Sequence, residues 1–134
     1  MASIIFPFRK EKSQIFGEIA RPVAKIFFWS RQWREWEDIW MIIDTGADYT
    51  LLPNYLAQEL GVNLTRDCEK FPTRGIGGEE TVYLYRKQKV KLGGWVGTIP
   101  VGFLARNDIP PLLGRQDFLE KFKVVFDRHQ TIFS

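Results

Sequence analysis

The sequence predicts a mostly β fold with one or two short helices, folded as a single domain over residues 1–134. Runs rich in β-branched and aromatic residues, such as Val23 to Trp29 and Trp95 to Leu104, are punctuated by Gly, Pro and Asn-Asp turns. Convincing helical spacing of apolar residues is brief, confined to Pro53–Gly61 and to roughly Gln116–Phe122. With 134 residues, 45% hydrophobic and 26% charged, the chain is long enough for one real core and too ordered in composition for a disordered segment. It contains no internal repeat, low-complexity stretch or linker.

Residues 1–12 read as an extended arm, in which Ile4, Ile5 and Phe6 suit a strand and Arg9-Lys10-Glu11-Lys12 a solvated stretch. Residues 14–29 suit one or two strands, with Pro22 at an edge or bend. The series Trp29, Trp33, Trp36, Trp40 has helical spacing, but a hairpin turning at Arg31 to Arg34 fits the strand-like flanks better, with its Trp residues in the core. The same Trp residues would also suit an interfacial membrane helix.

Met41 to Leu52 is an apolar strand broken by Asp44-Thr45-Gly46-Ala47-Asp48, and then a second apolar run. Pro53 suits a first helical turn and Gly61 a C-terminal cap. Residues 62–73 read as loop and short strand. Gly75-Ile76-Gly77-Gly78 follows, with strands at Thr81 to Tyr85 and Gln88 to Leu92. It lacks the Lys and Ser/Thr of a phosphate loop and reads as a hairpin tip, with 70–92 as the hairpin region. Gly93-Gly94 and Asn107 to Pro111 are turns, Leu112-Leu113 re-enters the core, and Val124 to Phe126 with Thr131 to Phe133 form a terminal hairpin around Arg128-His129.

Net charge is 19 − 16 = +3, too small to indicate nucleic acid. Residues 66–91 carry seven Lys/Arg against four acids, and the ordinary reading is solvated loop charge. Cys68 is the only cysteine and His129 the only histidine, so an intrachain disulfide is excluded and neither a Cys–His nucleophile nor a zinc site is well supplied. No segment resembles a signal peptide or reaches the ~20 apolar residues of a membrane span, so the expected compartment is cytoplasmic, with no membrane and no nucleic-acid partner.

Asp44 stands where a strand leaves the core and turns back. Gly46 permits a tight turn and close backbone approach. Apolar neighbours should make the surroundings rather dry, where a carboxylate pKa is tunable. Two carboxylates held side by side share one proton: the ionised member takes a proton from water while the protonated member polarises a carbonyl. Asp44 reads as one half of such a pair, with the other half on a second copy of the chain.

Three features together, the apolar strand into Asp44-Thr45-Gly46-Ala47-Asp48, the glycine-rich tip about thirty residues on, and Leu112-Leu113-Gly114-Arg115 before a short helix, resemble the retropepsin-like (retroviral-type) aspartic proteases over roughly residues 36–127. The terminal part, Phe118 to Phe133, also resembles the end of a pepsin lobe. The resemblance implies a single-lobe acid-protease barrel with a flap hairpin closing over the site, active as a two-fold homodimer, a cellular rather than a viral member, cutting peptide or protein substrates without a cofactor. It implies a catalytic role for Asp44, a hydroxyl of Thr45 bonding across the two-fold axis, and a Gly46 carbonyl meeting substrate. Ala47 and Asp48 would bind substrate main chain, with Asp48 paired to Arg115 behind Gly114. Gly75, Ile76, Gly77 and Gly78 would form the flap. The alternative is a non-catalytic dimeric peptide-binding or regulatory module of the same fold. The arm, the Trp-rich segment before residue 40 and the last strand exceed the minimal viral pattern, so the subunit interface is where differences are expected.

Overall fold

The structure, a computed structural model, describes residues 2–75 and 78–134. In chain order the strands are β1 (Ile4–Pro7), β2 (Arg9–Ser13), β3 (Gly17–Arg21), β4 (Val23–Ser30), β5 (Glu35–Ile43) and β6 (Thr50–Leu52). Helix α1 (Tyr55–Glu59) follows, then β7 (Glu69–Gly75), β8 (Gly78–Leu92), β9 (Trp95–Leu104) and β10 (Leu112–Leu113). A 3-10 turn at Leu119–Lys121 precedes β11 (Val124–Asp127) and β12 (Gln130–Phe133).

Among the described residues the strands form three sheets. The main one runs β4-β5-β10-β6-β9-β8-β7 and curls so that β4 also pairs with β8, through Phe27↔Lys91 and Phe28↔Val90. Its β10–β5 and β6–β9 pairings are parallel. A terminal sheet has the order β1-β12-β11, so the N-terminal arm pairs with the C-terminal hairpin of its own chain. β2 and β3 pair only with each other.

Alternation along the strands sets the core. Ala24, Ile26 and Phe28 of β4 and Ile39, Met41 and Ile43 of β5 point inward, to meet Val90, Leu92, Ile99, Val101, Phe103 and Leu113. Phe28, Phe103, Phe118 and Phe133 are fully buried, each burial stabilising the fold by roughly 1.5–3 kcal/mol. Helix α1 closes one side through Leu56 and Ala57.

The β4–β5 hairpin has the expected turn, but its Trp residues are not core. Trp29 and Trp36 form a cross-strand pair, with rings 5.4 Å apart and edge-on, on the outer face. Lys89 and Lys91 lie over those rings. Trp33 and Trp40 are largely exposed. The reason is period two: the inward positions are taken by Ala24, Ile26, Phe28, Ile39, Met41 and Ile43, so the rings of Trp29, Trp36 and Trp40 fall on the other face. Trp33 instead donates its indole N–H to Glu59 at 3.2 Å, and Ser30 donates its hydroxyl to the Glu59 carbonyl at 2.6 Å, fastening the hairpin to α1.

The segment expected to be helical at 116–122 contains only the single 3-10 turn. Asp117 is left-handed (φ 58°), which interrupts a helix, and the N–H groups of Arg115 and Gln116 are directed to the carbonyls of Ala47 and Asp48. Phe118 and Leu119 are buried nonetheless. Thr81–Tyr85 and Gln88–Leu92 are parts of one long strand, β8, with an irregularity between Tyr85 and Gln88. The solvated stretch at 9–12 is a strand, β2.

Candidate active site

The polypeptide leaves β5 at Ile43, turns through residues 44–49 and returns as β6. β10 lies between the two limbs. Its Leu112 and Leu113 pair in parallel with Ile42 and Ile43, and Leu112 pairs on the other side with Leu51. The Ile42 N–H donates to Pro111 O at 2.9 Å and the Asp44 N–H to Leu113 O at 3.0 Å. The base of the turn is therefore set by the main chain of a distant segment.

Gly114 follows at once, and its N–H donates to the buried Thr50 hydroxyl at 3.2 Å. A Cβ on Gly114 would lie 2.3 Å from both the carbonyl carbon and oxygen of Tyr49, so only glycine allows this approach. Gly102 has a similar role, since a Cβ there would sit 2.7 Å from the Tyr49 ring. Tyr49 is half-buried, and that burial, together with neighbouring Asp48, raises the pKa of its phenol.

Asp44 projects at the end of this frame and is half-buried. Its Oδ1 accepts the Gly46 N–H at 3.0 Å, and the Ala47 N–H donates to its carbonyl at 3.1 Å. Gly46 does not take a left-handed φ; a Cβ there would stand 3.3 Å from Asp44 Oδ1, so its value is room for the carboxylate. Behind Asp44 the wall is apolar and dry, with Ile43 and Leu113 buried. In front, Thr45, Gly46 and Asp48 are exposed and Ala47 half-buried. The dry surroundings expected from sequence exist on one side only of a single chain.

Arg115 gathers the rest of the turn. Its guanidinium donates to Thr45 O at 2.6 Å and to Asp48 Oδ1 at 2.7 Å, while its own N–H donates to Ala47 O at 3.0 Å. The expected Asp48–Arg115 pair is thus present, but it lies at the surface, with the Asp48 side chain 83% exposed. An exposed pair contributes at most about 1 kcal/mol. The bond to the Thr45 carbonyl gives Arg115 a hold on the turn that does not depend on Asp48.

β7 and β8 form the expected hairpin, paired from Glu69↔Leu84 to Gly75↔Gly78, with Gly78 at φ 111°. Ile76 and Gly77 lie outside the described residues. Among the described side chains, four of the seven Lys/Arg of 66–91 are engaged away from the Asp44 turn: Arg86 pairs with Glu69, Arg66 with Asp67, and Lys89 and Lys91 lie on the outer aromatic face. His129 is left-handed (φ 62°) in the β11–β12 turn and stacks on Phe8. Cys68 is half-buried, and burial pushes its thiol up to about 11. Among the described residues, no three His, Cys, Asp or Glu side chains gather as a metal site, and no helix is long and apolar enough to cross a membrane.

Sequence reasoning missed Thr50, Tyr49, Gly102 and the Leu113 carbonyl. A polar Thr50 opening an apolar run and a glycine inside a strand were signals for two of these; a main-chain carbonyl leaves none.

The family described as "gag-polyprotein putative aspartyl protease" matches residues 37–121, which spans the turn, the hairpin and Arg115. No curated protein sequence matches the chain. Among solved structures, a retropepsin-like aspartic protease from Rickettsia conorii superposes with a TM-score of 0.66 at 22% identity, over 98% of each chain. The EIAV protease, solved in complex with the inhibitor HBY-793, superposes with a TM-score of 0.55 at 19% identity, over 75% of this chain and 86% of that one. These likenesses establish a retropepsin fold.

Proposed function

We propose that this chain, which belongs to the gag-polyprotein aspartyl protease family, is an aspartic endopeptidase whose site is completed by a second copy. The observation that carries this is the Asp44 turn: one carboxylate at the open end of a frame that is apolar behind and exposed in front. Two such turns facing across a two-fold axis would place two Asp44 carboxylates side by side and supply the missing dry wall.

In that dimer the ionised Asp44 takes a proton from the attacking water while the protonated Asp44 polarises the scissile carbonyl. The pair shares one proton because two adjacent carboxylates do not both ionise easily, a coupling for which the aspartic proteases are the standard example. Thr45 bridges the two turns through its hydroxyl. The Gly46 carbonyl, Ala47 and Asp48 bind the extended substrate main chain. The β7–β8 hairpin, paired up to Gly75 and Gly78, acts as a flap that excludes water.

The test is cleavage of an unstructured protein substrate by wild type and Asp44→Asn, each sized in solution. Asn retains an acceptor for the Gly46 N–H, so fold and dimer should persist while turnover drops by roughly 10²-fold or more. Undiminished turnover in that variant rules the reading out. Binding of peptide without cleavage by wild type would instead assign a peptide-binding module.

A further inference from the structure

The β2–β3 hairpin belongs to neither of the other sheets, and its tip carries Ile15 and Phe16, 82% and 75% exposed, the two most exposed large hydrophobic residues described. Turn tips favour Gly, Asn, Asp and Ser, so two large apolar side chains here run against the usual chemistry. The tip is also well built. The Ser13 hydroxyl accepts the N–H groups of Ile15 and Phe16 at 3.2 and 3.1 Å, and Gly17 takes the left-handed conformation (φ 76°) that closes the turn. Glu11 holds both Arg9 and Arg21 across the shaft. A two-stranded ribbon alone is marginal in water, so a fixed tip that displays apolar surface implies an occupant.

Two positions on the molecule identify that occupant. The root of the hairpin is beside the active turn: Pro22, directly after β3, accepts the Ile43 N–H at 3.0 Å, one residue before Asp44. Beside the same turn, Thr45, Arg115 and Glu120 rim a groove of about 270 Å³ that is otherwise lined by the apolar side chains of Leu119, Phe122 and Val124. A five-residue strand spans roughly 17 Å, so the tip stands about that far from the root beside Ile43.

We infer that the β2–β3 hairpin is an exchange arm: Ile15 and Phe16 of each copy seat in the Leu119–Phe122–Val124 groove of the other. This rests on the two-copy site proposed above and specifies what holds it together. By two-fold symmetry both arms engage at once, so each copy's arm would brace the other's Thr45–Arg115 corner. The arm would thereby link dimer stability to order at the catalytic turn.

The experiment compares wild type, Ile15→Ser/Phe16→Ser and Val124→Glu by sedimentation over a concentration series, with peptide cleavage measured on the same samples and circular dichroism verifying the fold. Both variants should raise the dimer dissociation constant at least tenfold, and activity lost on dilution should return at high concentration. Combining them should add little, because each removes the same contact. A photo-cross-linking amino acid at position 16 should join two copies and map to residues 119–124. A dimeric, active wild type whose tip variant dimerises equally well overturns the arm alone. A wild type that is monomeric and inactive throughout overturns the shared site, and the arm with it. Sedimentation of wild type with vesicles of zwitterionic and anionic lipid, lost in the tip variant while its dimer is unchanged, would assign the tip to a lipid surface and overturn the arm.

Discussion

The backbone N–H of Asp44 donates to the carbonyl of Leu113 at 3.0 Å, so the carboxylate proposed as catalytic is aimed by a main-chain bond from another part of the chain. The bond survives side-chain replacement at either residue. It does depend on how closely the next residue, Gly114, can approach Tyr49.

Gly114→Ala should therefore loosen the turn from its frame. The added methyl meets fixed backbone at 2.3 Å, so the fold should lose roughly 1–3 kcal/mol, and activity should fall with it. Thermal denaturation checks this, and an unchanged melting temperature would show that the approach has slack.

Asp48→Ala should leave stability within about 1 kcal/mol of wild type, because the Arg115 pair is exposed. Its effect should fall on KM for peptides, through lost main-chain contacts. Arg115→Ala should be the more harmful of the two, since it also releases the Thr45 carbonyl. Equal losses from both variants would contradict this division.

Cys68 should react slowly. Burial, with Asp67 nearby, places its thiol at about 11, leaving on the order of 10²-fold less thiolate at neutral pH than a free cysteine. Alkylation of the folded protein by iodoacetamide, followed by mass, should be slow and should accelerate in urea. Rapid modification of native protein would disprove the shielding.

Asp67 should contribute to acid sensitivity. The Asn63 N–H, with Arg66 and Arg31, lowers its carboxyl from 3.8 to about 2. A depressed folded value means stability that is present above about pH 4 and lost as pH falls through 2. Asp67→Asn should thus melt below wild type at pH 6, with the gap closing towards pH 2. A gap independent of pH would show that the charge is irrelevant.

Much of this is legible in the sequence because local signals act over a few residues. Alternation marks β4, β5 and β9, Pro53 and Gly61 bracket α1, and Gly75 and Gly78 mark the hairpin, which the structure closes in that register. The chain's single Asp44-Thr45-Gly46 is the basis on which a second copy is proposed. A helix at 116–122 is the wrong expectation because apolar spacing records which side chains are buried, and cannot register that the N–H groups of Arg115 and Gln116 go to the carbonyls of Ala47 and Asp48. Size alone sends the Trp series to the core, whereas strand parity decides the face.

What the sequence alone determined, then, is the carboxylate, its turn and the glycines that permit both. Only the tertiary structure decided that Leu112-Leu113 enters between the limbs of that turn, that Gly114 bonds Thr50 from 64 positions away, and that Ile15 and Phe16 stand clear of their own core. The physical reason is that turn and strand preferences belong to neighbouring residues, while the pairing of short strands is chosen by the burial of the whole chain at once.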